Sequence, residues 1–402
     1  MKTDTATLTP YERCLAAIEG RSPDRVPAYT PTICCDVASK ILGREVSTGG
    51  PSLWYAEAKA WIAGEDAHAE FEQRYEEDLL ALHRALGIEV FRYGWRRTVR
   101  PTAQIDAHTF LYGDPKGAHQ VWRWDADVLN FVQAVDTTPR LQPEDWPALA
   151  KQTQRTTDAR AAWARAHAGV AEAELQRRLG EEMMVVAGGG GLSVGHDEPS
   201  LMACVLQPGA VADILDCQLE VALAQMQGIA ARGIKVVLGG GDMADKNGPM
   251  YSPAVFRSLI LPRLKVLAAR CSELGLHYVW RTDGKIWLVS DMIFLEAGAP
   301  GYGEVDHDAG MTVDAIRKCY PDLVLWGTIS ADLLWRGTPG EVYRTCRQII
   351  ADSGGKGYFH GCSNAVLPGT RPENVWAMMR ARDDDGRERR SLPEADLQPS
   401  SP

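Results

Sequence analysis

From about residue 181 the sequence alternates short β-branched or apolar runs, each closed by glycine or a polar residue, with longer stretches of helical periodicity. No other feature limits the fold as much. The runs occupy 183–187, 234–238, 276–280, 301–305, 323–326 and 357–360. Between them lie segments such as 253–273, where Phe256, Leu259, Ile260, Leu264 and Leu267 recur on one helical face. Strands alternating with helices imply a parallel sheet, since each crossover helix returns the chain to the same end. Two further runs, 26–30 and 88–92, bring the count to eight. Eight strands favour a closed (β/α)8 TIM barrel over an open doubly wound sheet.

The remainder decorates that barrel. Thr9, Pro10 and Glu12 carry a helix-start signal, a capping hydroxyl with a carboxylate three residues on, ahead of an extra N-terminal helix through Cys14 that Gly20 stops. Residues 1–10 and 382–402 have too little apolar content to order themselves and are expected to be disordered, leaving a barrel over 11–381. Segment 95–180 breaks the alternation and reads as an insertion: a short antiparallel ribbon around Trp122 and Trp124, then surface helix over 143–179. The longest apolar runs fall far short of the ~20 residues that span a bilayer, and no signal pattern opens the chain, so a cytoplasmic protein is expected. Nine scattered cysteines without a CxxC pair point to reduced thiols. A net charge of -10 argues against nucleic acid as a partner, while an oligomer is compatible with everything seen.

In barrels of this kind the residues just after each strand form the rim of the active site. That rule selects 188–191, 239–242, 281–284, 304–308, 328–330 and 360–364. Gly240 sits in a glycine run that would let backbone approach a ligand, or simply turn the chain. Asp242 ends an apolar strand and is the best single carboxylate candidate; its structural alternative is a helix cap or an ion pair with an arginine. Glu304, Asp306, His307 and Asp308 place four titratable groups within five residues, suited to acid–base work or to a solvated loop. His307, His360 and Cys362 offer nitrogen and sulfur, although no spacing enforces a metal site. Cys34 and Cys35 follow the first strand, where one thiol, Cys35 in our assignment, would face the pocket and the other pack.

Several motifs together resemble the uroporphyrinogen decarboxylase superfamily. They are RCLAAIEG from Arg13 to Gly20, PDRVP from Pro23 to Pro27, GDMADKNGPM from Gly241 to Met250, Ser252 with Pro253, and RTDG from Arg281 to Gly284. AGM from Ala309 to Met311, RGTP from Arg336 to Pro339 and PGTRPEN from Pro368 to Asn374 complete the set, so the resemblance covers most of 11–381. It implies a (β/α)8 barrel. The superfamily's decarboxylases grip a many-carboxylate substrate with an arginine-rich loop after the first strand, whereas here that place reads PTICCD from Pro31 to Asp36. Its corrinoid-dependent methyltransferases carry zinc on a His-x-Cys after the fifth strand and a Cys after the eighth. The matching positions here are Arg281, Asp283 and Asn364, and an arginine does not ligate zinc.

A guanidinium in place of a metal ligand offers a fixed fork for carboxylate, phosphate or phenolate oxygens. The expectation is therefore a zinc-independent, methyltransferase-like enzyme acting on a small anionic or oxygen-rich molecule. Arg281 would orient it, Asp242 and Asp283 would move protons, and Cys35, Gly240, Glu304, His307, His360, Cys362 and Asn364 would line the pocket. Its methyl partner would be methylcobalamin on a corrinoid protein, or tetrahydrofolate. A cofactor-free decarboxylase or lyase is the alternative, and a non-catalytic small-molecule binding protein the third reading. In the structural reading of Arg281, an ion pair with Asp283 or Asp242 merely braces the rim.

Overall fold

The computed structural model describes residues 8–391. Its centre is a ring of eight parallel strands, and the ring closes. Strand 2, Val90–Phe91, pairs with Met184–Val185, and the adjoining Ala187–Gly188 pairs with strand 4, Val236–Gly240. Strand 4 pairs with strand 5, His277–Arg281, and so in turn through Gly301–Gly303, Val324–Trp326 and Tyr358–Phe359. The first strand, expected over 26–30, joins the ring by few bonds: Tyr29 N–H donates to the His360 carbonyl at 2.8 Å, His360 N–H to Pro27 at 2.8 Å, and Val90 N–H to Ala28 at 3.3 Å.

Alternation within each strand sorts the core. Tyr29, Val90, Met184, Val186, Val236, Leu238, Val279, Val324, Trp326 and Phe359 form one cluster, which fills the barrel. Their neighbours Ala28, Ala187, Val237, Tyr278, Trp280, Tyr302, Leu325 and Tyr358 belong to the larger cluster shared with the helices. Within the barrel, Trp326 stacks on Phe359 with centroids 3.5 Å apart.

The capping box predicted at Thr9 is present. Glu12 N–H donates to Thr9 Oγ1 at 3.2 Å and Thr9 N–H to Glu12 Oε2 at 2.9 Å, starting a helix at Pro10–Ile18. Leu8, Thr9 and Pro10 are thus ordered, while 1–7 lie outside the described residues. The helix expected over 253–273 contains a π turn, Phe256–Ile260, before Leu261–Glu273. Segment 95–180 stands between strands 2 and 3, and its ribbon is larger than expected. Ala103–Asp106, Thr109–Gly113, His119–Asp125 and Asn130–Asp136 make a four-stranded antiparallel sheet. Phe110, Tyr112 and Phe131 bury one face of it against Ala58 on helix Pro51–Ala63, where Tyr55 stacks on Trp124 at 4.8 Å. Nor is 143–179 only surface. Helix Trp146–His167 buries Ala150, Thr157, Ala161 and Ala164, and its Arg165 carbonyl lies where a side chain on Gly228 of Pro208–Ala231 would collide, 2.6 Å from a Cβ.

The largest departure is at the carboxyl end. Helix Pro372–Ser391 continues through the first half of the segment expected to be disordered, and 392–402 lie outside the described residues. Its apolar content is low, as the sequence indicated, but a charge anchors it. Arg382 is buried and donates to the Gly87 carbonyl at 2.7 Å and to Glu89 Oε2 at 3.1 Å. The same Glu89 carboxylate meets Arg13 at 3.3 Å and Arg25 at 2.5 Å and accepts the Ala28 N–H at 2.7 Å. One buried carboxylate therefore ties the first helix, the sparsely bonded first strand, strand 2 and the last helix. No single helix among the described residues is long and apolar enough to cross a membrane.

Removing one member of a buried charge cluster leaves the others uncompensated, at a cost of about 3–5 kcal/mol. Glu89→Ala is expected to lower the urea unfolding free energy by up to that amount: Arg13 keeps Asp24 and Arg25 and Arg382 keep Asp383, but the buried carboxylate common to all three is gone. A loss within experimental error would show that the cluster does not hold the ring closed.

Candidate active site

Arg281 ends strand 5 with the same parity as Val279, so its side chain turns into the top of the barrel. Room for it comes from strand 6. A Cβ on Gly303 would stand 2.9 Å from Arg281 Cγ, and one on Gly301 would stand 2.9 Å from His277 Nε2. Glycine at these two inward positions leaves space for the long side chains of the neighbouring strand. The next residue, Glu304, has φ of +63°, a left-handed backbone that costs a non-glycine residue roughly 1–3 kcal/mol. The geometry places Glu304 Oε1 2.9 Å from Arg281 Nη1, with both side chains mostly buried.

This pair stands in the wall of a cavity of about 750 Å³ at the carboxyl ends of the strands, the size of a small-molecule site. Arg92, Asp242 and Asn364 also line it, with Cys34 near its floor and Trp54, Trp95 and Trp335 as aromatic surface. Asp283 reaches the same group: its Oδ2 accepts from Asn364 Nδ2 at 3.0 Å. Burial raises the Asp283 pKa, and Asp242 raises it further. Burial likewise raises that of Glu304, although Arg281 and then Arg92 pull it back. For Arg281 burial works toward losing the proton, but Glu304, Tyr29, Tyr278 and Asp242 outweigh it, so the guanidinium stays charged. Its Nε is buried and has no hydrogen-bond partner among the described residues. The guanidinium as a whole lines the cavity and offers it a fixed positive charge for a ligand oxygen.

Of the residues singled out in the sequence, Asp242, Arg281, Asp283, Glu304 and Asn364 come together here. Asp242 caps no helix and makes no hydrogen bond among the described residues, and the ion pair considered for Arg281 is made with Glu304 instead of with Asp283 or Asp242.

Others do not line the cavity. His360 is fully buried between Tyr358 Oη and the Met378 carbonyl, both at 3.1 Å, and burial lowers its pKa to about 3. Cys362 is fully buried beside Ile329, its thiol pushed up to about 12 by burial. His307 opens a short turn, His307–Ala309, away from the cavity wall. Of the cysteine pair it is Cys34 that reaches the cavity, whereas the Cys35 thiol packs between the Gly49 carbonyl at 3.2 Å and Thr48 N–H at 3.3 Å. Gly240 is structural: φ is +86° and a Cβ would lie 2.3 Å from the Arg281 carbonyl oxygen, while its neighbour Gly241 lines the cavity.

Sequence reasoning passed over Arg92, although it ends the run 88–92 and the rim rule applied there would have found it. It also passed over the tryptophans and the hairpin tip at Leu129 and Asn130, which no strand-end rule reaches.

A zinc site fits this donor set poorly. Arg281 is committed to Glu304, Asn364 presents its amide N–H₂ to Asp283, and among the described residues no three His, Cys, Asp or Glu side chains are arranged to hold a metal ion.

The family model for uroporphyrinogen decarboxylase (URO-D) matches residues 183–384, just over half of the chain and the part that carries strands 3 to 8. The chain belongs to that family. Within the URO-D family the (β/α)8 barrel is the shared fold, in agreement with the closed ring described above. Among solved structures, a methyltransferase from Methanosarcina mazei matches with a TM-score of 0.61 at 16% identity, over 94% of this chain and 99% of that one. At that identity the match speaks for the barrel. No curated protein matches significantly.

Gly303→Ala tests whether the barrel makes room for Arg281. The added methyl must displace the Arg281 stem, so the variant is expected to lose about 1–3 kcal/mol of stability and to shift the Arg281–Glu304 pair in a crystal structure. An unmoved Arg281 in a variant of unchanged stability would contradict this role for glycine.

Proposed function

We propose that the chain is a methyl-transfer enzyme of the URO-D family that activates a small anionic or oxygen-rich substrate with Arg281 and Asp283 instead of with zinc. The observation that carries this reading is Asp283: a carboxyl with a raised pKa, hydrogen-bonded at 3.0 Å to Asn364, which lines the cavity together with the charged Arg281. A methyl–oxygen bond breaks readily only when the departing oxygen gains a proton or a positive neighbour as its charge develops. The Arg281 guanidinium is the neighbour, and it orients the substrate oxygen. Protonated Asp283 delivers the proton to that oxygen as the methyl group leaves for a nucleophile. A partner protein's corrinoid or tetrahydrofolate would be the group that accepts the methyl carbon, providing the electron pair for the new bond. Trp335 and Leu367, exposed on the cavity rim, leave an apolar approach for it. A methyltransferase sharing the barrel over nearly its full length supports the same reading at the level of the fold.

The decarboxylase alternative has one observation in its favour, the second cation. Arg92 and Arg281 could grip a carboxylate together while Asp283 protonates the carbanion left after carbon dioxide departs. Against a tetrapyrrole with many carboxylates, those two arginines face three acids, Asp242, Asp283 and Glu304.

The test is a single-turnover assay with reduced corrinoid and a panel of small O-methyl compounds, following methylcobalamin by its visible spectrum and carbon dioxide in parallel. Methyl transfer is expected, slowed by about 10²–10⁴-fold in Asp283→Asn. Carbon dioxide release without methyl transfer would replace this reading with decarboxylation. The pH dependence has a definite sign. A raised pKa keeps Asp283 protonated above the ordinary aspartate value of about 3.9, so the rate is full below its pKa and falls as pH rises through it. Asp283→Asn should abolish that descending limb, and a limb that survives would assign the proton to another group.

A further inference from the structure

The insertion between strands 2 and 3 does more than decorate the barrel. Its third and fourth strands, His119–Asp125 and Asn130–Asp136, pair Asp125 with Asn130 and are joined by the four residues 126–129. Leu129 closes that turn with φ of +51°. Glycine or asparagine fills such a left-handed position at little cost, whereas leucine strains it. The tip also lies in the active-site cavity: Val128, Leu129 and Asn130 form part of its lining, as do Trp54 and Trp95. Val128 remains 62% exposed, an apolar residue at the end of a hairpin where solvation by a polar residue would be the ordinary choice.

The sheet beneath the tip is held rigidly. Tyr55 stacks on Trp124 and its hydroxyl lies 2.9 Å from His108 Nδ1, while Trp54 from the same helix meets Trp95 edge-on at 4.6 Å and donates to its carbonyl at 3.1 Å. Helix, hairpin and strand-2 loop thus each contribute apolar surface to the cavity, and Arg92 and Arg281 supply positive charge to the same lining.

We infer that the hairpin tip at Val128 and Leu129 is a specificity-determining wall, selecting a substrate with a planar apolar body and a single anionic group. The body lies against Leu129, Val128 and the tryptophans, where flat rings gain most from aromatic surface, and the anion meets the arginines. This rests on the reading that the cavity takes the substrate, and it does not depend on which group is transferred.

The test is calorimetric binding of benzoate, with acetate as the anion lacking a body, to the full chain and to Leu129→Gly and Leu129→Asn. Both replacements accept φ of +51°, so both should fold with an unfolding midpoint equal to or above that of the parent. The parent is expected to bind benzoate and not acetate, and each variant to bind benzoate about tenfold more weakly. Unchanged benzoate affinity in both variants would overturn the inference, as would a parent that binds no benzoate up to about 10 mM or binds acetate equally well. Benzoate binding without methyl transfer would sink the reaction assigned above and leave the wall intact. Methyl transfer from an aliphatic donor, with no benzoate binding, would do the reverse.

Discussion

A guanidinium taken out of water at the mouth of a barrel persists only beside a carboxylate, and the Arg281–Glu304 pair meets that requirement at the cost of a left-handed backbone at Glu304. Each feature around it follows from housing that pair. Strand 6 gives up its inward side chains at Gly301 and Gly303, and Gly240 lets strand 4 pass against the Arg281 carbonyl. The neighbouring Asp283, deprived of solvent and facing Asp242, holds its proton more tightly than a free carboxyl. Strain and small residues therefore share one cause at the carboxyl ends of the strands, while the acid is shifted by its own burial and by Asp242.

The opposite end of the barrel uses buried charge for a different purpose. Glu89 joins Arg13, Arg25 and Arg382 where the ring has its fewest strand hydrogen bonds, and no residue of that cluster lines the cavity. Charges at one end secure closure, while those at the other keep unfilled hydrogen-bonding capacity, Arg281 Nε above all. Such a division suits the fold, whose strand ends separate the chemistry from the stabilising face.

What the sequence revealed depended on whether a residue's partners were local. Short apolar runs closed by glycine or a polar residue mark seven barrel segments as strands, and even the weakly bonded stretch at 26–30 takes its expected place in the ring. Arg281, Asp283 and Asn364 were found because strand ends and a family resemblance both pointed to them. His360 and Cys362 sit at an equally good strand end, yet their side chains turn outward from the cavity into packed surroundings, a choice of parity that the sequence alone left open. Residues 382–391, expected to be disordered, are helical, and their anchor, Glu89, lies almost 300 residues away from Arg382, beyond any local reading. Leu129 was invisible for the same reason: a leucine in a hairpin turn carries no chemistry until a cavity is seen beneath it.

We propose that a charged arginine, paired with Glu304, stands where a metal would otherwise organise this cavity. Zinc titration of the purified protein against a chromophoric chelator tests it most directly. No zinc site tighter than about micromolar that depends on the cavity residues is expected. One equivalent of zinc held tightly by the parent and lost in Asp283→Asn would contradict it.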